Sequence, residues 1–267
     1  MNNKNMDLEY QIPITISIVG AGPGDPELLT VKAVKRIQKA DIILYDNLIS
    51  SEILDLTSSN AKKIYVGRKY GDVEDAMKRQ DTIHELFFKY AQEGKKIVRL
   101  KSGDSFIYGR VAEEIRFLTQ KNIPFEVIPG ITAGIAAANS QHIPLTERNK
   151  TNSVLFCTGH TATYDLEQLE ALANMLKTGT TLIMYMGYKN LKEVITTFKK
   201  ITPDETLYIS AISKVSQEDE TIFSGTLDEM EEKLEIKTVP MPVVFILGKY
   251  AFPIDHNPIK IVQENEY

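Results

Sequence analysis

The sequence predicts an α/β protein of two domains, the first on a mostly parallel sheet and the second on a mixed one. Three observations predict it. β-Branched apolar runs ending in glycine alternate with helical stripes through the first half of the chain, the pattern of a parallel sheet flanked by helices. A polar, turn-rich stretch, LTERNKTNS at 145–153, then interrupts the alternation. It divides the chain into domains 12–147 and 148–254, with tails at 1–11 and 255–267. Finally, TIFSGTL directly after SKVSQED reads as a hairpin, which makes the second sheet mixed.

The first strand is the run Ile14, Ile16, Ile18 and Val19, closed by Gly20. Asp25 reads as an N-cap and Pro26 as the first helical residue, followed by an apolar stripe of Leu28, Leu29, Val31, Ala33, Val34 and Ile37. ADIILYD (40–46) and KKIYVG (62–67) are the second and third strands, and 75–93 a helix stopped by Gly94. KKIVRLKSGD (95–104) is a strand running into a glycine loop, RVAEEIRFLTQK (110–121) a helix, and PFEVIPG (124–130) a strand. TAGIAAANSQH (132–142) is a helix of small residues. In the second half, 153–159, 180–187, 206–213, 220–225 and 241–248 read as strands, and 165–177, 189–200 and 227–235 as helices.

Composition excludes several classes. A net charge of −5 offers no bulk attraction to nucleic acid or to an anionic membrane. No apolar run reaches membrane-spanning length, and MNNKNMDLEYQ lacks the apolar core of a signal peptide. The one cysteine, Cys157, cannot form an internal disulfide and fits a reducing compartment, so a cytoplasmic location is expected. Cys157 lies in a buried strand with no paired base and reads as a core residue. The four histidines, His84, His142, His160 and His256, lack ligand spacing, and no metal site is expected; His160, in CTGH, is the one singled out.

Ligands of parallel sheets bind beyond the carboxyl ends of the strands. Gly20–Asp25, Asp46, Gly67–Lys69, Ser102–Ile107 and Pro129–Ala133 all follow strands there, which points to one shared site. The first of these loops does not suit phosphate. Position 25, where a dinucleotide fingerprint would have its third glycine, is Asp, and no Walker lysine follows. A carboxylate there occupies the place an anion would take, so the loop either accepts a neutral or cationic ligand or is a tight βα turn with no ligand.

VGAGPGDPELLTVKA, ILYDNLIS, VRLKSGDSFIYGR, EVIPGITAGIAAANSQHIPLTER, TGH, YMG and SGTL occur in this order, and together they resemble the tetrapyrrole methylases across about residues 12–250. The resemblance implies two α/β domains with S-adenosylmethionine (SAM) in the cleft between them. It implies a homodimer, and a reaction that methylates uroporphyrinogen III at C2 and C7 to give precorrin-2 for sirohaem or cobalamin, releasing S-adenosylhomocysteine (SAH). Carried over by motif, the donor site comprises Pro23, Ser102, Gly103, Asp104, Ile107, Thr132, Ala133, Met186, Ala211 and Pro242. Asp46, in YDNL, matches the family's proposed base; its plainer role is a turn residue after the strand. The substrate carries eight carboxylates, so Arg68, Lys69, Lys101, Arg110, Arg148 and Lys150, near strand ends or inter-domain loops, form a candidate anion funnel.

The chain departs from the family pattern at several points. It has SGDSF where GGDPF is usual, GRVAEE for GRGGEE, and IPLTER for IPLTHR. Arg68 stands where the family has a lysine proposed as proton donor, and an arginine rarely gives up its proton. Lys69 or water would then serve as the acid, or Arg68 would only bind substrate. Two other readings share the fold: a methyltransferase for a later precorrin, and a non-catalytic relative that binds SAM or a tetrapyrrole.

Overall fold

In the computed structural model the described residues are 14–67, 76–159, 166–236 and 239–255. The chain forms two compact units, residues up to Ile131 and residues from Thr132 onwards.

The first unit holds strands β1 (Ile16–Gly20), β2 (Ile42–Tyr45), β3 (Lys62–Tyr65), β4 (Ile97–Lys101) and β5 (Phe125–Ile128) in the order β3-β2-β4-β1-β5, every pair parallel. Parallel strands need crossovers, and the helices α1 (Val31–Ile37), α2 (Ser51–Asp55), α3 (Ala76–Gln92) and α4 (Val111–Gln120) supply them. Side chains alternate across the sheet. Val19, Ile43, Val98 and Leu100 meet Ala33 and Ile37 of α1 and Ile53 of α2 on one face. Ile16, Ile18, Leu44 and Ile97 meet Phe87 of α3 and Leu118 of α4 on the other.

Two local expectations differ from the structure here. Asp25 does cap and Pro26 does open a turn, but it is a single 3-10 turn, Pro26–Leu28. Thr30 then provides a second cap, its Oγ1 accepting from Ala33 N, and α1 starts at Val31. Val31 consequently faces solvent, and α1 buries only Ala33 and Ile37. The short α2, capped by Ser50, was not expected from the sequence.

The second unit holds β6 (Val154–Thr158), β7 (Thr181–Tyr185), β8 (Tyr208–Ser213), β9 (Thr221–Thr226) and β10 (Val243–Gly248), ordered β6-β7-β10-β8-β9. β6 and β7 are parallel and the remaining pairs antiparallel, β8 and β9 forming the expected hairpin. Helices α6 (Leu166–Lys177), α7 (Leu191–Ile201) and α8 (Leu227–Ile236) cover one face around Phe198 and Phe245. Each of these fully buried phenylalanines contributes about 2–3 kcal/mol of burial.

The division between units falls earlier than the boundary expected at 147/148. Helix α5 (Ala133–Ser140) belongs to the second unit, where it packs against β7 and β10. Its small residues permit this: a Cβ on Gly134 would lie 2.3 Å from Ile183 Cγ2. The polar stretch at 145–153 is a tight turn inside that unit, with Glu147 and Thr151 bonded backbone to backbone at 2.9 and 3.1 Å.

Candidate active site

In the first unit the turns after β1, β4 and β5 interlock. Gly22 and Gly103 exchange backbone hydrogen bonds of 3.2 and 2.8 Å, and Ala21 N donates to Lys101 O at 2.8 Å. Asp104 binds its own turn through Oδ1, from Phe106 N at 2.9 Å, and the β5 turn through Oδ2, from Gly130 N at 3.1 Å. A Cβ on Gly130 would lie 2.3 Å from Gly103 O and 2.5 Å from Gly20 C, so three backbones meet where no side chain fits. Ser50 Oγ donates to Gly24 O at 2.8 Å, which ties the GPGD turn to the start of α2. Pro23, Ser102, Gly103, Asp104 and Ile107 are thereby brought into one cluster of turns at the carboxyl edge of the sheet.

The charge of this cluster is its second property. Residues 20–25 and 102–107 carry the carboxylates of Asp25 and Asp104 and no cationic side chain. That set suits a sulfonium cation and opposes phosphate. The residues present therefore fit SAM as the ligand.

Thr132, Ala133 and Met186 are held together in the second unit. Tyr185, the last residue of β7, places its hydroxyl 2.7 Å from Thr132 Oγ1 and accepts from Gly134 N at 2.9 Å. This fixes the first turn of α5 against the end of β7. Burial pushes the Tyr185 hydroxyl above its ordinary value, so it stays protonated. Met186 follows with a left-handed backbone and half its surface exposed. Pro242, after a cis peptide bond, lies on the same sheet edge, its carbonyl accepting from Lys214 N at 2.8 Å. Ala211 is different: it is buried at the centre of β8, in register between Phe223 and Phe245, and is a core residue.

Asp46 sits at the end of β2 and accepts from Arg99 Nη2 at 2.6 Å. Arg99 is buried, and its Nε lies 3.3 Å from Oε1 of Glu114, which is fully buried. Lys101 was expected to face the substrate's carboxylates. The structure corrects this: Lys101 is 3% exposed and donates to the same Glu114 Oε1 at 2.8 Å. It lies on the sheet face that α4 covers, and Glu114 of α4 is its counter-charge. Burial, with Arg99 adding to it, holds the Lys101 ammonium below the usual lysine range, against the pull of Glu114. Ser105, one of the two departures in SGDSF, is fully buried and its Oγ has no hydrogen-bond partner among the described residues.

The other cations differ in position. Arg110 is exposed and grips Glu113 through two hydrogen bonds of 2.9 and 2.7 Å. Arg148 is exposed on the second unit, and Lys150 pairs with Glu147 at 2.7 Å and lies over the Tyr250 ring. Arg68, Lys69 and His160 lie outside the described residues. Cys157 is buried and its thiol is pushed up to about 12 by burial, as befits a core residue. Among the described residues no group of three or more metal-ligating side chains converges, and no helix is long and apolar enough to cross a membrane. Sequence reasoning missed Ser50, Tyr185, Arg99 and Glu114. Each lies in a recognised block (YDNLIS, YMG, VRLKSGDSFIYGR and GRVAEE), but no role was assigned to it there.

Residues 15–231 match the family described as Tetrapyrrole (Corrin/Porphyrin) Methylases. The chain is 41% identical over 235 residues to the uroporphyrinogen-III C-methyltransferase of Bacillus subtilis, covering 87% of this chain and 89% of that one. It is 39% identical over 236 residues to a sirohaem synthase of Actinobacillus succinogenes, covering 88% of this chain and 48% of that longer protein. Among solved structures, a cobalt precorrin-4 methyltransferase superposes with a TM-score of 0.78 at 25% identity, covering 89% of this chain and 96% of that one. The Thermus thermophilus uroporphyrin-III C-methyltransferase complexed with S-adenyl homocysteine does so with a TM-score of 0.72 at 30% identity, covering 88% and 97%. A family match over most of the chain, joined to interlocked glycine turns of the kind its motifs require, places the chain in the tetrapyrrole methylase family.

Proposed function

We propose that this chain is a SAM-dependent methyltransferase that methylates uroporphyrinogen III at C2 and C7 to give precorrin-2, on the way to sirohaem or cobalamin. The observation that carries the reading is its similarity, over nearly the full length of both chains, to the Bacillus subtilis enzyme of that name.

Carried over from the family's motifs, the residues proposed for the donor are Pro23, Ser102, Gly103, Asp104 and Ile107, together with Thr132, Ala133, Met186 and Pro242. Close backbone approach at the glycine turns gives adenine and the methionine end N–H and C=O partners. When bound, SAM supplies a methyl on a sulfonium: a pyrrole-carbon electron pair makes the new C–C bond, and the C–S pair returns to sulfur. The residues supply alignment and exclusion of water, which such an activated donor chiefly needs. Asp46 accepts the proton that the methylated macrocycle loses. Arg110 and Arg148, with Arg68 and Lys69, bind substrate carboxylates, and Arg110 exchanges its bidentate grip on Glu113 for one of them. The reading extends to a homodimer in the cytoplasm, supported by the family resemblance; sedimentation of the purified protein tests the dimer.

The test is incubation of purified protein with uroporphyrinogen III and methyl-labelled SAM, without oxygen. Two labelled methyl increments per macrocycle are expected, and none would overturn the reading. The similarity to a cobalt precorrin-4 methyltransferase favours one alternative, a later precorrin as substrate. Methyl transfer to that substrate and not to uroporphyrinogen III would select it.

A further inference from the structure

We infer that Arg99 is a positioning residue for the reaction, holding one oxygen of the Asp46 carboxylate so that the other stays free to take the proton. The inference rests on the role proposed above for Asp46.

Asp46 follows the last residue of β2 and points to the same sheet face as Leu44. A carboxylate at such a turn has rotamer freedom unless something holds it. Arg99 stands on the adjacent strand β4, opposite Leu44, one step behind Asp46 on the same face. Its guanidinium is fixed on every side: Nε to Glu114 Oε1 at 3.3 Å, Nη1 to Leu100 O at 2.9 Å, and Nη2 to Asp46 Oδ1 at 2.6 Å. Asp46 Oδ2 carries no hydrogen bond among the described residues. Asp46 is the one member of the network that reaches solvent, its side chain 29% exposed against 3% for Arg99, 4% for Lys101 and 0% for Glu114.

Stability alone explains this arrangement poorly. Buried ion pairs are often matched or exceeded by apolar residues of similar volume, because both charges must be desolvated. Here an arginine, a lysine and a glutamate occupy the interior next to a sheet otherwise packed with Ile, Leu and Phe. Their linkage terminates in a carboxylate at the carboxyl edge of the sheet. Glu114 is the support behind Arg99, and Lys101 holds Glu114 by the same oxygen. The guanidinium meets Glu114, Leu100 and Asp46 from three separate nitrogens held in one plane, whereas an ammonium has a single nitrogen to place among them.

The experiment is a double-mutant cycle in kcat, assayed anaerobically with uroporphyrinogen III and SAM, using Arg99→Lys, Asp46→Asn and the double variant. Asp46→Asn is expected to lower kcat about 100-fold or more. Arg99→Lys is expected to lower kcat about 10- to 100-fold by misplacing the carboxylate, with KM for SAM within about threefold of wild type. In the Asp46→Asn background, Arg99→Lys should then change kcat by less than about threefold, because it acts through Asp46. SAH binding by calorimetry reports that each variant is folded; should Arg99→Lys lose it, Glu114→Gln enters the same cycle with the same expectation. Multiplicative single effects, or an Arg99→Lys enzyme within threefold of wild type, would overturn the positioning role alone. A wild type that transfers no methyl would overturn the functional reading and this inference with it.

Discussion

Removing one oxygen atom, in Tyr185→Phe, tests how the second unit holds its share of the donor site. The Tyr185 hydroxyl meets Thr132 Oγ1 at 2.7 Å and Gly134 N at 2.9 Å, and both of those residues are buried. The ring itself stays, including its contact with Phe156 at 6.3 Å between centroids. Loss of the Thr132 bond costs about 1 kcal/mol, and the buried Gly134 N–H, left without its acceptor, about 1–2 kcal/mol more. The expected fall in stability is therefore roughly 2–3 kcal/mol, read as a lower urea midpoint by circular dichroism. The first turn of α5 also becomes free to move, and fixing one backbone residue costs about 1–2 kcal/mol. If Thr132 and Ala133 hold the donor, that cost reappears on binding, and the Kd for SAH rises about 5- to 30-fold by calorimetry. Thr132→Ala, which leaves the Tyr185–Gly134 bond intact, should show a smaller stability loss. A Tyr185→Phe protein with the wild-type midpoint and wild-type SAH affinity would refute the reasoning.

Three further outcomes follow from two glycines and the buried cysteine. Gly130→Ala drives a Cβ against backbone atoms of Gly103 and Gly20, none of which can rotate away, so SAH binding should weaken at least tenfold. Gly94→Ala, where the φ of +68° meets open space, should cost about 1 kcal/mol of stability and leave SAH affinity unchanged. For Cys157, burial raises the folded thiol from 9.0 to about 12, so folding favours the protonated form. Its contribution is complete below about pH 9 and is lost as pH climbs from about 9 towards 12. Urea midpoints measured across that range should fall less steeply in Cys157→Ala than in wild type.

The strands were legible because each is a short β-branched run closed by a turn residue, and the turns because glycine and proline mark them. What was not legible depends on partners distant in sequence. Nothing in RLKSGD says that Lys101 is buried, because its counter-charge, Glu114, arrives 13 residues later on a helix. Read locally, Arg99 and Lys101 look like two more cations at a strand end. Asp25-Pro26 did signal a turn, but Thr30 supplies a competing cap, and the α-helix starts there. The polar run at 145–153 resembled a linker, yet the division falls beside Ile131, where composition gives no sign of it. Helix α5 joins the second unit through the packing of small residues on Ile183 and Tyr185, which no periodicity reveals. The donor-site motifs were recognised as blocks, while the bonds that assemble them, from Ser50 and Tyr185, become visible only in three dimensions.

Gly20, Gly103 and Gly130 come from three separate turns of the first unit, yet they share a single knot of backbone. None of the three loops can acquire its working shape while the other two are missing, so donor affinity should emerge late in refolding, after the whole sheet has closed. An engineer who wants to retune one loop for a different donor inherits the other two as fixed partners. Libraries that vary all three together should recover function that transplanting any single loop destroys.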